Sequence, residues 1–394
     1  VDADILEKKE IYLQLNGIDT HAEVILNNVV LGKCNNAFTR YQFDVKKIIQ
    51  PENNQLTIRF FPVVPIAQEI LRNRILPLPG DSVRAVIRKP QYHFGWDWAP
   101  RINTLGFAYP ISIGLKAKAT IDYLLVNKLA LTDSSAQLQL KFELNSALSK
   151  GAFKAQSQYF KTFQFQANEQ LNQVVFIDQP KLWWPVGQGA AHLYQDTLLI
   201  FNEANELVLA HPFEFGIRQA KVLQQKDEWG TSFTFEINGR PIFAKGANVI
   251  PPGIFSGPEL DAAFAALVPQ MQAANFNIVR IWGGGMYAPE SFLNACDRAG
   301  IMVWHDFMFA CAMYPADAAF MSQVSQEIKQ HIPRLASHAS VVYFNGNNEV
   351  DVAWKNWGFQ LQYHLNDAAQ KTIESAYQAV FLDLLPKQVQ AYTN

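Results

Sequence analysis

The chain has 394 residues, enough for two to four domains at roughly 100–200 residues each. Its 33 Lys and Arg balance 35 Asp and Glu, and no run of like charge forms an electrostatic arm, which argues against nucleic acid or a membrane surface as partner. With 49% hydrophobic and 17% charged residues, no stretch of 18 apolar residues, and three scattered cysteines (Cys34, Cys296, Cys311) that exclude a disulfide framework or CxxC site and read as packed thiols, the expectation is a soluble globular protein with several cores.

From residue 10 to about 115 apolar residues recur with period two. Ile11, Leu13 and Leu15 alternate with Tyr12, Gln14 and Asn16, and Leu56, Ile58 and Phe60 alternate with Gln55, Thr57 and Arg59, the pattern of a half-buried antiparallel sheet. Asn27-Asn28, between two apolar runs, predicts a hairpin turn because Asn tolerates positive φ. Residues 1–117 therefore read as a β-sandwich of jelly-roll type. The stretch between Pro62 and Pro90 carries Arg72, Arg74, Arg84, Arg88 and Lys89, is too irregular for a core strand, and reads as a long functional or disordered loop. Beyond it, residues 91–101 gather aromatic side chains around Asp97, as either a sugar-contacting loop or an aromatic plug at a domain junction.

A second β phase occupies 118–222, with Leu138, Leu140, Phe142 and Leu144 alternating against Gln137, Gln139, Lys141 and Glu143. Short strands separated by turn clusters suggest an immunoglobulin-like sandwich, although no Cys pair marks it. Trp183-Trp184-Pro185 inside it reads as aromatic packing between domains. In 223–394 the pattern changes to short apolar runs without alternation, Ile242–Ala244, Ile278–Ile281, Ile301–Trp304 and Val341–Phe344, each followed by a helical segment. Strands buried on both faces are the mark of parallel β/α units. Helices are predicted over about 260–275, 317–336 and 368–385, and another from Pro289 to a stop at Gly300 with Phe292, Leu293, Cys296 and Ala299 on one face. These four units read as the first half of a (β/α)8 barrel, since a closed one takes about 250 residues.

In such a barrel the reacting groups project from the C-terminal ends of the strands. The predicted tails are Lys245–Asn248, Arg280–Gly285, His305-Asp306 and Asn345–Glu349. A carboxylate preceded by Asn, with an Arg and a Trp on the same rim, suits a sugar: glycosidases work with carboxyl groups and bonds to the sugar 2-OH, and an indole gives a pyranose a flat face. Gly283–Gly285 matches neither a P-loop nor a dinucleotide fingerprint and reads as a close backbone passage. His305-Asp306 lacks the companion His or Cys of a metal site and reads as a structural hydrogen bond.

The phrases YHFGWDWAPR at 92–101, NIVRIWGGGMYAPESFLNACDRAGIMVWHDFMFACAMYP at 277–315 and VVYFNGNNEV at 341–350 resemble the β-mannosidases of glycoside hydrolase family 2. NGIDTHAEVILNNVVLG at 16–32 and WWPVGQG at 183–189 extend the resemblance over nearly the whole chain. The resemblance implies a jelly-roll sugar-binding domain, an immunoglobulin-like sandwich and a (β/α)8 catalytic barrel, acting on the terminal non-reducing β-D-mannose of oligosaccharides with retention. It implies that Glu349 is the general acid/base, that Asn348 contacts the mannose 2-hydroxyl, that Trp282 and Trp357 line the −1 pocket, that Arg280 helps orient the nucleophile, and that Asp97, with Trp96 beside it, reaches over from the first domain to the sugar.

The family's opening strands precede Val1, and its nucleophilic glutamate lies near the end of the seventh barrel strand. Asp351, Asp367, Glu374 and Asp383 are poor replacements because none follows a buried strand. The chain therefore reads as a piece truncated at both ends, lacking the nucleophile and inactive by itself. The alternatives are another family 2 glycosidase (β-galactosidase, β-glucuronidase or exo-glucosaminidase) or a non-catalytic carbohydrate-binding protein with an incomplete barrel. No cofactor or metal is implied, and compartment and oligomeric state stay open.

Overall fold

The computed structural model describes residues 10–115, 119–146, 151–166 and 171–393, so the boundary expected between 117 and 118 lies outside the described residues. In the strand Ile11–Asn16 the period-two pattern is realised, with Ile11, Leu13 and Leu15 buried. It lies between Arg40–Asp44 and Ser112–Leu115, while Ala22–Leu26 lies between Val29–Cys34 and Leu56–Phe60. The apolar faces of the two antiparallel sheets meet in one core. Asn27 and Asn28, at φ 49° and 64°, make the expected tight hairpin turn.

The stretch 62–90 is not a loop. It holds a helix, Val63–Leu71, and a 3-10 turn, Ser82–Val86, and Arg84, Arg88 and Lys89 are each at most 2% exposed. Its partners are remote in sequence. Arg88 donates to both oxygens of Glu327 at 3.0 and 2.6 Å and to the carbonyl of Met308 at 2.9 Å. Glu327 also accepts from Asn36 and Tyr287, each at 2.8 Å, so one buried carboxylate ties the sandwich to the C-terminal region. Cations that fold inward leave no apolar period, which is why this segment looks irregular in the sequence.

The second unit packs a three-stranded sheet (Ala119–Leu131, Ser135–Ser146, Leu171–Asp178) on a four-stranded one (Lys161–Gln166, Ala152–Ser157, Tyr194–Phe201, Leu207–Phe215), all antiparallel, as an immunoglobulin-like sandwich. Leu138, Leu140, Phe142 and Leu144 fill the space between them. Trp183 is fully buried, packs with Ile278, Met302 and Ala339 of the next unit, and donates its Nε1–H to the carbonyl of Asp297 at 2.8 Å. It is packing between domains, as expected.

Residues Ile242–Ala244 do not form the first parallel strand. Arg240–Ile242 instead pairs antiparallel with Thr234–Ile237 across an Asn238-Gly239 turn at φ 51° and 79°. The parallel sheet begins at β1 (Gly246–Val249) and continues in order through β2 (Ile278–Ile281), β3 (Met302–Asp306) and β4 (Val341–Asn345). The tail of the first strand accordingly starts at Ile250, and Gly246–Asn248 belong to the strand itself. Helices α1 (Pro258–Ala273), α2 (Glu290–Ala299) and α3 (Ala318–Ala336) alternate with the strands, as at the start of a β/α barrel. After β4 come α4 (Val350–Asn356) and a long helical run, Asp367–Tyr377 through a π-helical segment to Tyr392. Pro289 and a left-handed Gly300 at φ 69° bound α2, whose Phe292, Leu293 and Cys296 are fully buried. Among the described residues no helix is long and apolar enough to cross a membrane.

A charged clamp joins α2 to the turn before β4. His338 bonds Asp297 at 2.7 Å through Nδ1 and Glu290 at 3.0 Å through Nε2, and Arg334 donates to Glu290 at 3.0 Å. Burial opposes the imidazolium, but the bonds to Asp297 and Glu290 outweigh it and hold His338 at about 9, above the ordinary 6.5. Because the folded value is the higher one, the stabilisation is complete below pH 6.5 and disappears as pH rises through 9. Thermal unfolding followed from pH 6 to 10 is expected to fall more steeply in the native protein than in His338→Gln; parallel curves would show the clamp contributes nothing.

Candidate active site

The polar centre sits at the C-terminal ends of β2, β3 and β4. Arg280 donates from Nε and Nη2 to Asp306 at 3.1 and 2.7 Å, and Nη2 also reaches the Asn348 side-chain oxygen at 2.9 Å. Asp306 has no exposed surface and also accepts from the Gly283 N–H at 3.1 Å, Trp304 Nε1 at 2.9 Å and Asn345 Nδ2 at 2.9 Å. Burial pushes its carboxyl upward against the pull of Arg280. With five donors it is saturated, and it fixes the guanidinium that in turn fixes Asn348.

Asn348, its oxygen taken by Arg280, donates Nδ2 to both Cys311 Sγ and Glu349 Oε2 at 3.3 Å. Glu349 stands at the entry to α4 with φ 58°, a left-handed conformation uncommon for a non-glycine residue, and its side chain faces solvent. Its Oε2 accepts the thiol proton of Cys311 at 3.3 Å. Burial and the adjacent Glu349 push the Cys311 thiol up to about 12, so it is a protonated donor at neutral pH. Cys34 and Cys296 are packed thiols as expected, whereas Cys311, though buried, is bonded into this polar chain.

Trp282 follows β2 and is 8% exposed, with the rings of Trp96 and Trp98 edge-on to it at 4.7 and 5.8 Å. Tyr92 stacks on Trp98 at 5.2 Å and donates its hydroxyl to the carbonyl of Gly253 at 2.8 Å, which fastens the 91–101 loop over the strand ends. Asp97 is exposed at the tip of that loop. The glycines allow close approach: a Cβ on Gly284 would lie 2.0 Å from the Trp282 ring and one on Gly283 2.7 Å from the carbonyls of Phe307 and Phe309.

Arg280, Asn348 and Glu349 are thus bonded in series, and Trp96 and Trp282 are in ring contact. Trp357, just past α4, is 38% exposed, and its ring contact is with Phe359. His305 accepts the Ala288 N–H at Nε2 (3.1 Å) and donates from Nδ1 to the carbonyl of Asp306 (2.7 Å), and burial holds it down to about 3, a neutral structural imidazole. Among the described residues no cluster of His, Cys, Asp and Glu has the makings of a metal site. Asp351 is paired with Lys355 at 2.7 Å, and Glu374 accepts from Trp354 at 3.2 Å. Sequence reasoning missed Asp306 and Cys311 as site residues. The sequence sets Asp306 at a strand tail but not its pairing with Arg280, because the register that puts Arg280 opposite Trp304, and so beside the next residue on that face, belongs to the fold. Cys311 follows a strand tail in a loop and carries no such signal.

Residues 1–108 match the glycosyl hydrolase 2 galactose-binding domain-like model and 115–218 match glycosyl hydrolases family 2, together more than half of the chain. The chain belongs to glycoside hydrolase family 2. Within that family it is similar to the β-mannosidase of Mus musculus (30% identity over 98% of this chain and 46% of the relative) and to β-mannosidase B of Emericella nidulans (31%, 96% and 46%). The crystal structure of β-D-mannosidase from Dictyoglomus thermophilum superposes with a TM-score of 0.86 at 33% identity, over 98% of this chain and 48% of that one. A Bacteroides uniformis β-glucuronidase shares the fold at a TM-score of 0.72 and 17% identity, over 100% of this chain and 44% of its own. The chain spans about half the length of the relatives it matches.

Proposed function

We propose that the full-length protein is an exo-acting, retaining β-mannosidase that removes terminal non-reducing β-D-mannose from oligosaccharides. The observation that carries this reading is the bonded series Arg280–Asn348–Glu349 at the strand ends beside a wall of Trp282 and Trp96. Glu349, exposed and held by two donors, acts as general acid/base. Asn348, oriented by Arg280, presents its amide to the sugar 2-hydroxyl, and Trp282, Trp96 and Trp357 offer it apolar faces. The parallel sheet is the first half of a (β/α)8 barrel, the first sandwich is a jelly roll, and the three domains divide as 1–117, 118–222 and 223–394.

Retention requires a second carboxyl about 5–5.5 Å from the first. Asp306 is saturated, and Asp351 and Glu374 are engaged elsewhere. On the resemblance, the reading assigns the nucleophile to a carboxylate outside residues 1–394, and an aryl β-mannoside assay on residues 1–394 alone is expected to show no turnover. A panel of nitrophenyl glycosides offered to the full-length protein tests the reading: the β-mannoside is expected to be preferred, and equal or faster turnover of the gluco or galacto epimer would overturn it.

Asp97 binds a sugar hydroxyl from the exposed tip of the aromatic loop. Asp97→Ala is expected to lower kcat/KM by about 10- to 100-fold, the worth of a hydrogen bond to a charged group, with thermal unfolding unchanged. Normal kinetics with a lowered unfolding temperature would make the loop a packing plug.

A further inference from the structure

We infer that Arg84, a residue of the sandwich domain, is a positioning residue for Glu349, acting through the backbone and thiol of Cys311. The inference rests on the reading of Glu349 as the acid/base. Arg84 is 2% exposed, and its guanidinium is directed at carbonyls: Nη1 donates to Ala310 at 2.7 Å, and Nη2 to Cys311 at 3.0 Å and Pro79 at 3.3 Å. Nη1 also bonds Gln91, and the same guanidinium lies 4.9 Å from the centre of the Trp96 ring. One buried cation therefore touches both halves of the site, the aromatic loop and the 310–311 segment.

Cys311 has φ 50°, so its conformation needs support from its surroundings, and the two carbonyl bonds supply it. The segment is registered against the acid/base by paired backbone bonds, Cys311 N–H to the Asn348 carbonyl and Asn348 N–H to the Phe309 carbonyl, each 2.9 Å. The thiol then donates to Glu349 while accepting from Asn348. Glu349 itself is exposed, and a long carboxylate side chain at the surface has several rotamers open to it. The thiol selects one of them, and Arg84 holds the thiol. The contrast with Arg88 is instructive: that guanidinium is neutralised by Glu327, whereas Arg84 spends its donors on neutral carbonyls at the site's edge.

A misplaced acid harms poor leaving groups more than good ones, because an acidic phenol departs with little protonation. In the full-length protein, Cys311→Ala and Arg84→Met are each expected to lower kcat/KM for an alkyl β-mannoside by about 10-fold, and for a 2,4-dinitrophenyl β-mannoside by less than about 3-fold. Cys311→Ser retains a donor and is expected to recover most of the alkyl rate. The double variant is expected to be little worse than the poorer single one, since both act through the same carboxylate. Should Arg84→Met fail to fold, Arg84→Lys, which cannot hold both carbonyls in a fork, is expected to show the same skew. Equal losses for both substrates in folded variants, or native rates throughout, would overturn the inference. Glu349→Gln run beside them separates the two claims: if it shows no leaving-group skew, the reading of Glu349 fails, and if it alone shows the skew, only the role of Arg84 and Cys311 fails.

Discussion

In the full-length protein, and on the reading of Glu349 as acid/base, Glu349→Gln is expected to lower kcat/KM for alkyl β-mannosides by about 10²- to 10⁴-fold, the range that a positioned general acid supplies. The substitution removes the proton that the departing oxygen needs but leaves a side chain of the same shape for Cys311 and Asn348 to hold. For a 2,4-dinitrophenyl β-mannoside kcat/KM is expected to change little, since that phenol leaves unassisted. Its kcat should nevertheless fall, because on the retaining reading the same carboxylate would activate water when the glycosyl-enzyme is hydrolysed. Azide, a nucleophile that needs no base, is expected to restore that kcat and to yield a β-mannosyl azide. Uniform loss across leaving groups, without rescue, would make Glu349 a structural residue.

Glu327→Ala is expected to destabilise the protein by about 3–5 kcal/mol, the usual cost of removing one partner from a buried ion pair. The pair has 2% and 0% of its side-chain surface exposed, so Arg88 would be left charged in the interior, with Asn36 and Tyr287 also short of a partner. The weakened place is the seam between the first sandwich and α3, and loosening it also loosens the loop that carries Trp96 and Asp97. In urea unfolding of the full-length protein the transition should move to lower denaturant, and, on the reading of Asp97 as a sugar ligand, kcat/KM should decline with it. The double variant Arg88→Met with Glu327→Leu is expected to recover part of the loss, because it removes the stranded charge. A shift below about 1 kcal/mol in Glu327→Ala would show that solvent reaches the seam and that the pair is not what holds it.

What the sequence by itself determined is everything that depends on one element's own burial. Ile11, Leu13 and Leu15, or Leu138 through Leu144, state by their alternation which face of a strand is covered, and Asn27-Asn28 states where the chain turns. Phe292, Leu293 and Cys296 between Pro289 and Gly300 state a helix with its stops. The place of Asn348-Glu349 just past a strand end was legible for a related reason, since the end of an apolar run is the end of a buried strand, while the roles proposed for them rest on the resemblance. The hairpin that precedes β1 is also written in the sequence, since Asn238-Gly239 is a turn signal of the same kind as Asn27-Asn28. The helix Val63–Leu71 was hidden by Pro62 and Pro65, which sit at its first turn, where proline is tolerated.

Tertiary structure alone decided the rest. That Arg88 is an anchor and not a surface cation follows only from Glu327, 239 residues on, and that Arg84 reaches the carbonyls of Ala310 and Cys311 follows only from how the sandwich docks, 226 and 227 positions away. The physical reason is that hydrophobic period reports the environment averaged along one strand or helix, whereas a buried cation is stabilised by particular acceptors, and their position is a property of the packing between elements rather than of any one of them.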